Sequence, residues 1–377
     1  MQANELNSAL VTGGAGLIGS HLVDLLINQG WRVRILDRLE PQTHAGGAPS
    51  WINPKAELMQ GDIQDKSCLR AALEGVEVVF HLAAYGGYMP EIAKYLEVNV
   101  VGTGRLLEVI KDDNLPIRKV VVASSQAVYT EGAVNCHVHG LGFPPRRAEA
   151  RLVAGDFAVP CPTCGGPATG ASTPESAPTG GETVYAISKA SQERLALAWG
   201  KQSGIPTVAL RYACTYGPRQ SIFNPYTGVI SIFCTRLVND LPPLVYEDGR
   251  QTRDLCNVED VARANYLAAT TNRWDGLAVN VGSGKPTAIS DLALMLADLL
   301  GKHISPELPG EFRPGEMRAL TPDLQLARSG GFEAEIGLAE GISRYLEWLR
   351  TLGPLEELFS AAARRLRQSG AVRSASI

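Results

Sequence analysis

Short apolar runs recur along the N-terminal half of the chain and alternate with segments that have helical spacing. The runs are rich in Val, Ile, Leu and Ala, which is typical of strands that are buried on both faces of a sheet. They lie at residues 8–12, 31–37, 56–63, 76–84, 119–125 and 207–212. Helical patterns lie at residues 20–27 and 99–110. The alternation predicts an α/β fold, a Rossmann-type doubly wound parallel sheet with ligands at the carboxyl ends of its strands.

The pattern divides the chain into a large first lobe and a smaller C-terminal lobe that is expected to bind substrate. After Leu355, apolar positions repeat with the spacing of an amphipathic helix, and the last residues are polar. The predicted boundaries are 1–215 for the Rossmann domain, 132–181 for an insert within it, 216–250 and 278–354 for the substrate-binding lobe, 251–277 for a return to the Rossmann domain, and 355–377 for a C-terminal helix and frayed tail.

A glycine-rich turn follows the first strand directly. Gly13, Gly16 and Gly19 stand between this strand and a helix, and Asp37 ends the next strand about 20 residues further on. Glycines let the backbone approach a pyrophosphate, and the helix N-terminus offers N–H groups and a positive dipole. The carboxylate can accept hydrogen bonds from ribose hydroxyls and would repel a 2′-phosphate. A dinucleotide site that prefers NAD is therefore predicted, although Arg38 beside the acid leaves NADP open.

Tyr185 and Lys189 have the spacing of a general base and the cation that activates it. Residues four apart lie on one face of a helix, and a nearby ammonium favours the phenolate, so the pKa of Tyr185 is expected to fall from its usual value of about 10. Ser125 ends a predicted strand and could hydrogen-bond the substrate oxygen that Tyr185 deprotonates. A surface tyrosine beside a solvated lysine would have the same spacing. Together with the dinucleotide site, the three residues predict a catalytic centre with Tyr185 as general base.

The insert is rich in Pro, Gly and Ala and has little periodicity. A segment of this length inside a domain needs its own stabiliser or is disordered. It carries Cys136 and His139 and, about 20 residues later, Cys161 and Cys164, which is the spacing of a tetrahedral structural zinc site. We therefore predict a zinc-knuckle-like insert held by these four residues, with His137 as an alternative to His139. Unused thiols in a flexible loop, or a redox pair, are the other interpretations.

Composition and charge argue against several classes of protein. The chain has 377 residues, of which 45% are hydrophobic and 20% are charged, as in a soluble globular protein. A formal net charge of −4 argues against a nucleic-acid-binding surface. The sequence contains no visible secretory signal and no apolar run of the roughly 20 residues that cross a membrane. Seven cysteines without such a signal suggest thiols or metal ligands rather than disulfides, so a cytoplasmic protein is expected.

The motifs together resemble the extended short-chain dehydrogenase/reductase superfamily, and within it the NAD-dependent nucleotide-sugar epimerase/dehydratase family. The resemblance covers about residues 8–350. It rests on the glycine turn and on Asp37, Asp62, Ile63, residues 81–84, Asn99, Ser125, Tyr185, Lys189 and residues 216–219. The insert and residues 219–229 are similar to dTDP-L-rhamnose 4-epimerase-like members. The resemblance implies tightly bound NAD, with Ser125, Tyr185 and Lys189 as catalytic residues.

The resemblance also assigns binding residues, each by its place in a motif. Asp62 and Ile63 would flank the adenine, and Lys189 would bind the nicotinamide ribose. The residues implied for the cofactor are Gly13, Gly16, Leu17, Ile18, Asp37, Arg38, Asp62, Ile63, Leu82, Ala83, Ala84, Asn99, Tyr185 and Lys189. Those implied for the nucleotide-diphosphate sugar are Gln126, Tyr212, Tyr246, Arg253, Arg313 and Glu316. The family further implies a homodimer built from the helices that begin near Val98 and Tyr185.

Two positions after Ser125 indicate which reaction to expect. Dehydratases of the family place Asp and Glu there to remove water, whereas this chain has Gln126 and Ala127. Without that pair the elimination lacks its acid and base, so a 4-epimerase that works through a transient 4-keto sugar is expected. The family commonly has Asn where Cys214 stands, and Cys is a poorer donor toward a diphosphate. A decarboxylase or other oxidoreductase, a dehydratase and a non-catalytic NAD-sensing protein are the alternatives.

Overall fold

The computed structural model describes residues 7–41, 43–44, 47–87, 89, 91–226 and 228–376. Its strands are β1 (Ser8–Thr12), β2 (Arg32–Asp37), β3 (Glu57–Gln60), β4 (Val78–His81), β5 (Lys119–Ser125), β6 (Val134–Cys136), β7 (Gly140–Gly142), β8 (Thr169–Gly170), β9 (Ser172–Thr173), β10 (Thr207–Tyr212), β11 (Cys214–Tyr216), β12 (Thr252–Asn257), β13 (Ala278–Val281), β14 (Pro286–Ala288), β15 (Glu311–Phe312), β16 (Ala319–Pro322) and β17 (Arg373–Ser374). Its helices are α1 (Leu17–Asn28), α2 (Lys66–Leu73), α3 (Ile92–Leu96), α4 (Thr103–Asp112), α5 (Glu149–Val153), α6 (Val184–Ser203), α7 (Val229–Val238), α8 (Val258–Thr270), α9 (Ile289–Leu299), α10 (Gln325–Ser329), α11 (Leu338–Arg350) and α12 (Phe359–Gln368). A π-helical turn (Glu97–Gly102) joins α3 to α4. In the part of the chain that is described, no helix is both long and apolar enough to cross a membrane.

Seven parallel strands form the central sheet, in the order β13-β10-β5-β4-β1-β2-β3. All six strands predicted for the first lobe lie in this sheet, which confirms the predicted doubly wound α/β fold. The strand order reverses between β1 and β4. In open sheets of this kind, ligands bind in the crevice outside the carboxyl ends of the strands at such a switch point.

The strands of the central sheet are buried on both faces, because successive side chains point to opposite sides. Along β1, Ala9 and Val11 pack with residues of α1 and α8, whereas Leu10 packs with residues of α2 and α4. On β5, Val121 packs with the first group and Val122 with the second. This two-sided burial explains why the runs are continuously apolar rather than alternating.

A second sheet, in the order β11-β12-β16-β9 with β14 beside β12, supports the C-terminal lobe. Phe233, Leu292 and Leu346, from α7, α9 and α11, belong to its core. Two predicted boundaries are wrong here. β12 lies in the second sheet, so the return to the first lobe starts at α8 rather than at residue 251, and β13 lies in the central sheet rather than in the second lobe. The apolar pattern of a short strand indicates that it is buried, but not which sheet it joins.

The insert is folded and connects the two lobes. β6, β7 and β8 form a small antiparallel sheet. Leu152 and Phe157 of the insert pack against Phe312 of β15. β9, also within the insert, pairs with β16 in the second sheet.

The last residues of the chain pack against the second lobe. The predicted C-terminal helix is present as α12, and β17 pairs with β15 as an antiparallel ladder. Val372 is only 3% exposed. The prediction of a frayed tail is therefore wrong for residues 370–376, because an apolar anchor and backbone hydrogen bonds hold them, and Ile377 lies outside the described residues.

Candidate active site

The turn after β1 packs against the backbone of the segment that follows β4. Gly13 has a φ of +71°, and a Cβ there would lie 2.8 Å from the amide nitrogen of Ala83, so only glycine fits. The N–H of Gly16 donates to the Gly13 carbonyl (3.2 Å), and α1 begins at the next residue without a side-chain cap. The first N–H groups of α1 therefore have no intrahelical acceptor and can bind an anion such as a pyrophosphate.

Asp37 stands at the end of β2, beside this turn. One of its carboxylate oxygens accepts a hydrogen bond from the N–H of Ala15 (3.0 Å). Arg38 is paired with both Asp62 (3.2 Å) and Glu40 (3.1 Å). A 2′-phosphate at this position would meet three carboxylates and an arginine whose charge is already offset. The arrangement therefore favours an unphosphorylated ribose, as in NAD.

A cleft of about 190 Å³ is lined by most of the residues predicted to bind the cofactor. They are Gly13, Gly16, Asp37, Arg38, Asp62, Ile63, Leu82, Ala83 and Ala84. Ile18 lines an adjoining larger cavity, and Leu17 and Asn99 line neither of the two. The side chain of Asn99 bonds within the protein, to the backbone of Tyr85 (2.7 and 2.9 Å) and the hydroxyl of Ser188 (2.9 Å).

The larger cavity, of about 810 Å³, contains Ser125 and Tyr185. Ser125 is the last residue of β5, and Tyr185 lies in the first turn of α6, which Thr183 caps through a hydrogen bond from the Ala186 N–H (3.1 Å). Ser125 and Tyr185 line this cavity together. Burial raises the pKa of Tyr185 above its ordinary value, and the neighbouring Ser125 hydroxyl offsets part of this rise. The predicted pair of hydroxyls is thus brought together at one end of the cavity.

Lys189 lies one turn further along α6 and lines neither cavity. Its ammonium donates to the carbonyl of Ala123 (2.8 Å) and to Oε1 of Gln192 (2.9 Å), and the residue is 2% exposed. Burial lowers the pKa of Lys189 to about 7. The expected fall in the pKa of Tyr185 is therefore wrong for this structure, because the ammonium is held by other acceptors and burial dominates at the phenol.

A buried chain of hydrogen bonds continues from Lys189 into the first lobe. Gln192 donates to the hydroxyl of Thr103 (3.0 Å), and the ring of His81 bridges Thr103 and Thr12, at 2.8 Å on each side. Burial lowers the pKa of His81 to about 3, so the ring is neutral at pH 7. The chain fixes the head group of Lys189. Sequence reasoning missed it, and the only local signal was the spacing of three residues between Lys189 and Gln192.

All the residues predicted to bind the nucleotide sugar line the larger cavity. They are Gln126, Tyr212, Tyr246, Arg253, Arg313 and Glu316. Arg253 pairs with Glu316 at 2.7 Å, and the guanidinium of Arg313 lies 4.7 Å from the centre of the Tyr246 ring. The hydroxyl of Tyr212 donates instead to an asparagine of α8 (2.7 Å). Two arginines beside an aromatic face are suited to a nucleoside diphosphate.

Gln126 and Cys214 line the same cavity as Ser125 and Tyr185. The amide of Gln126 donates to the Cys214 sulfur (3.2 Å), and its buried Oε1 accepts no hydrogen bond from the described residues. Burial raises the pKa of Cys214 to about 11, so the thiol is neutral. Among the described residues that line this cavity, the carboxylates are Glu247 and Glu316, and both are paired with arginines. Among the described residues of this cavity, no unpaired Asp or Glu side chain therefore accompanies the hydroxyls of Ser125 and Tyr185.

Several cavity residues were missed from the sequence because they come from distant segments. Tyr226 precedes α7, and Phe233 lies on it. Phe359 and Ala371 come from the C-terminal segment, and Arg146 comes from the insert. No local spacing joins these residues, so only the fold shows that they share a cavity.

The insert brings the four predicted metal ligands together. The ligand atoms of Cys136, His139, Cys161 and Cys164 all lie within 4.8 Å of one another. Nδ1 of His139 lies 3.7 Å from the sulfurs of Cys136 and Cys161, and His137 is not part of the cluster. Backbone N–H groups of the turn after Cys161 lower its pKa to about 6. Three thiols and one imidazole are a ligand set that structural Zn²⁺ sites use.

The glycine turn, the cleft at the switch point and the paired hydroxyls of Ser125 and Tyr185 define a nicotinamide-dinucleotide-dependent enzyme of the extended short-chain type. The model of the NAD dependent epimerase/dehydratase family matches residues 9–146 and 160–282 of the chain. The protein belongs to this family. The unmatched residues 147–159 lie within the insert.

Similarity to individual members extends over both lobes. The dTDP-L-rhamnose 4-epimerase of Burkholderia thailandensis is 34% identical over 349 residues, which cover 90% of this chain and 94% of the relative. The UDP-glucose 4-epimerase of Mycolicibacterium smegmatis is 31% identical over 350 residues, covering 90% of this chain and 98% of the relative. The crystal structure of UDP-glucose 4-epimerase from Thermotoga maritima with UDP-glucose has a TM-score of 0.74 at 28% identity and covers 92% of this chain and 99% of that one.

Proposed function

We propose that the protein is an NAD-dependent nucleotide-sugar 4-epimerase. The proposal depends on the side chains around Tyr185 in the large cavity. The hydroxyls of Ser125 and Tyr185 and the amide of Gln126 lie there together, and the described carboxylates of the cavity, Glu247 and Glu316, are paired with arginines. Tyr185 can therefore move a proton on and off one hydroxyl, which suits epimerisation, whereas elimination of water needs a further acid and base. Similarity to sugar 4-epimerases over 90% of the chain supports the same conclusion.

The mechanism assigns a separate task to each group in the cavity. The glycine turn and the cleft would hold NAD, whose chemistry would be to accept the C4 hydride of the sugar and to return it. Tyr185 takes the proton of the 4-hydroxyl, and Ser125 hydrogen-bonds the same oxygen. Arg253 and Arg313 hold the diphosphate while the 4-keto sugar turns over, for which a cavity of about 810 Å³ leaves room. Tyr185 then returns the proton to the inverted alcohol.

Turnover of nucleotide sugars by the pure protein tests this function. UDP-glucose, UDP-galactose, UDP-glucuronate and dTDP-L-rhamnose are incubated with it without added cofactor, and the products are followed by NMR. We expect one of them to be converted to its C4 epimer at a constant total of bound NAD and NADH, because the cofactor is regenerated in each cycle. Loss of water would instead indicate a dehydratase, and release of CO₂ a decarboxylase. No turnover by a protein that retains NAD would favour an NAD-sensing role.

We propose that the protein is a homodimer whose contact face is formed by α3, the following π-helical turn and α6. The support is a set of exposed apolar side chains on these adjacent elements: Ile92, Leu96, Val101, Ile187 and Leu195. Leu96→Asp should convert a dimer into a monomer in sedimentation analysis, because it places a charge in the contact. Leu294→Asp, at a residue of α9 that is exposed to a similar degree, is the matched control and should leave the dimer intact. A monomeric wild-type protein would contradict the proposal.

We also propose that Cys136, His139, Cys161 and Cys164 bind one structural zinc ion. The support is the convergence of the four ligand atoms within 4.8 Å, from two segments of the insert that are more than 20 residues apart in the chain. The ligand set is closed, with four protein donors, so the ion would order the insert rather than catalyse. The zinc content of the wild-type protein and of Cys164→Ser, measured by mass spectrometry, tests its presence.

A further inference from the structure

The insert meets the substrate-binding loop through its backbone. This loop, residues 313–318, carries Arg313 and Glu316, two of the residues predicted to bind the nucleotide sugar, into the large cavity and leads into β16. β9 pairs with β16, and Gly132 packs so closely on Ala319 that a Cβ would overlap its carbonyl oxygen. β8, one residue before β9, pairs with β6, which ends on Cys136. A short path of backbone hydrogen bonds therefore joins the cysteine cluster to β16, the strand that follows the loop.

Arg147 makes a second connection, and its side chain is only 2% exposed. The guanidinium makes paired hydrogen bonds to the Glu247 carboxylate (2.9 and 3.0 Å). It also donates to the carbonyl of Phe157 in the insert (3.1 Å) and to that of Glu316 in the loop (2.9 Å). A planar, buried guanidinium with these acceptors fixes the backbone positions that it joins. Arg147 thus ties the insert to the middle of the substrate-binding loop.

The far end of the loop also rests on the insert and its border. The Glu131 carboxylate, on the residue before the insert, accepts a hydrogen bond from the N–H of Arg318 (2.6 Å). Met317 and Leu320 pack in one apolar cluster with Ala177 of the insert and Tyr129. The loop is therefore held by backbone, charge and apolar contacts with the insert and with the residues directly before it.

The insert has little stabilising structure of its own. Its sheet has strands of three, three and two residues, and elements this short are not stable in isolation. A metal held by four ligands contributes its binding free energy to folding. We infer that the metal-bound insert is a positioning element of the substrate site: zinc closes the insert, and the insert holds residues 313–318 in the geometry that binds the nucleotide diphosphate. The inference rests on the nucleotide-sugar and zinc sites proposed above.

The first experiment compares Cys164→Ser with Cys68→Ser in the full chain. Cys164 is an exposed member of the cluster, so its replacement removes little packing, and Cys68 lies on α2, outside the insert. Zinc and NAD contents are measured by mass spectrometry and absorbance, and the affinities for UDP and dTDP by titration calorimetry. We expect Cys164→Ser to lose zinc, to keep NAD and to bind the preferred diphosphate at least about tenfold more weakly, because small displacements of positioning groups are costly. Cys68→Ser should match the wild-type protein.

Arg147→Lys tests the link without changing the metal ligands. Lysine keeps the buried positive charge but cannot make the paired bonds to Glu247 and reach Phe157 and Glu316 at once. We expect zinc and NAD to be retained, the diphosphate affinity to fall at least about fivefold and KM for the nucleotide sugar to rise with little change in kcat.

The outcomes separate this inference from the proposals beneath it. Wild-type diphosphate affinity in a folded, zinc-free Cys164→Ser protein would overturn the inference, and so would wild-type affinity in Arg147→Lys. Absence of zinc from the wild-type protein would overturn the role of the metal in this inference. It would not affect the proposed nucleotide-sugar function. Failure of the zinc-loaded wild-type protein to bind either diphosphate would count against the proposed function itself.

Discussion

Replacing Tyr185 by phenylalanine should lower kcat by roughly 10³-fold, within the range that a positioned proton-transfer group contributes. The phenol lines the same cavity as Ser125, and the neighbouring Cys214 thiol is neutral because burial raises its pKa to about 11. The arginine-paired carboxylates of Glu247 and Glu316 belong to other contacts and offer no substitute base. Phenylalanine fills the same volume, so the cavity should keep its shape.

The kinetic signature distinguishes loss of proton transfer from loss of structure. Tyr185→Phe should bind UDP or dTDP with the wild-type affinity and retain NAD, because the diphosphate-binding arginines and the glycine turn are untouched. Tyr266→Phe, at a residue of α8 outside both cavities, is the matched control and should turn over normally. Normal turnover by Tyr185→Phe would rule out the proposed mechanism.

The central sheet and the cofactor cleft could be predicted because their signals are local. Strands buried on both faces appear as continuous apolar runs, and the glycine turn places its functional residues within a few positions of one another. Asp37 could be predicted as a cofactor-binding residue because it lies at the end of the next strand. The same holds for the cluster of Cys136, His139, Cys161 and Cys164, whose spacing within each pair is short. In each case one segment, or two neighbouring ones, carried the chemistry.

Features that depend on distant pairing could not be predicted. β12 and β13 exchange sheets relative to the expected boundary, because the partner of a short strand is set by packing across the whole fold. Arg147 and Glu247 are 100 residues apart in the chain, and in sequence each looks like a solvated charge. The pKa of Tyr185 was misjudged for a related reason. Helical spacing places Lys189 one turn away, but only the structure shows that Ala123 and Gln192 hold its ammonium.

A buried ion pair between β10 and α6 leads to the prediction with the largest expected effect on stability. Arg211 of β10 and Glu193 of α6 are 6% and 4% exposed and make paired hydrogen bonds of 3.0 and 2.7 Å. The guanidinium also donates to the hydroxyl of Tyr129 (2.9 Å), and Glu193 accepts from the hydroxyl of Ser124 (2.5 Å). Arg211→Met should lower the free energy of unfolding by about 3–5 kcal/mol, because it leaves the Glu193 carboxylate buried without its counter-charge.

Urea unfolding of three variants measures this effect and assigns its cause. Arg328→Met is the matched control, since Arg328 and Glu333 form a pair whose side chains are 53% and 64% exposed, and it should leave the free energy of unfolding almost unchanged. Arg211→Met combined with Glu193→Gln should recover part of the loss, because a neutral amide is less costly to bury than an unpaired carboxylate. A loss in Arg211→Met no larger than in Arg328→Met would show that the buried pair contributes little. A double variant no more stable than Arg211→Met would place the cost in lost packing against Tyr129 rather than in the unpaired charge.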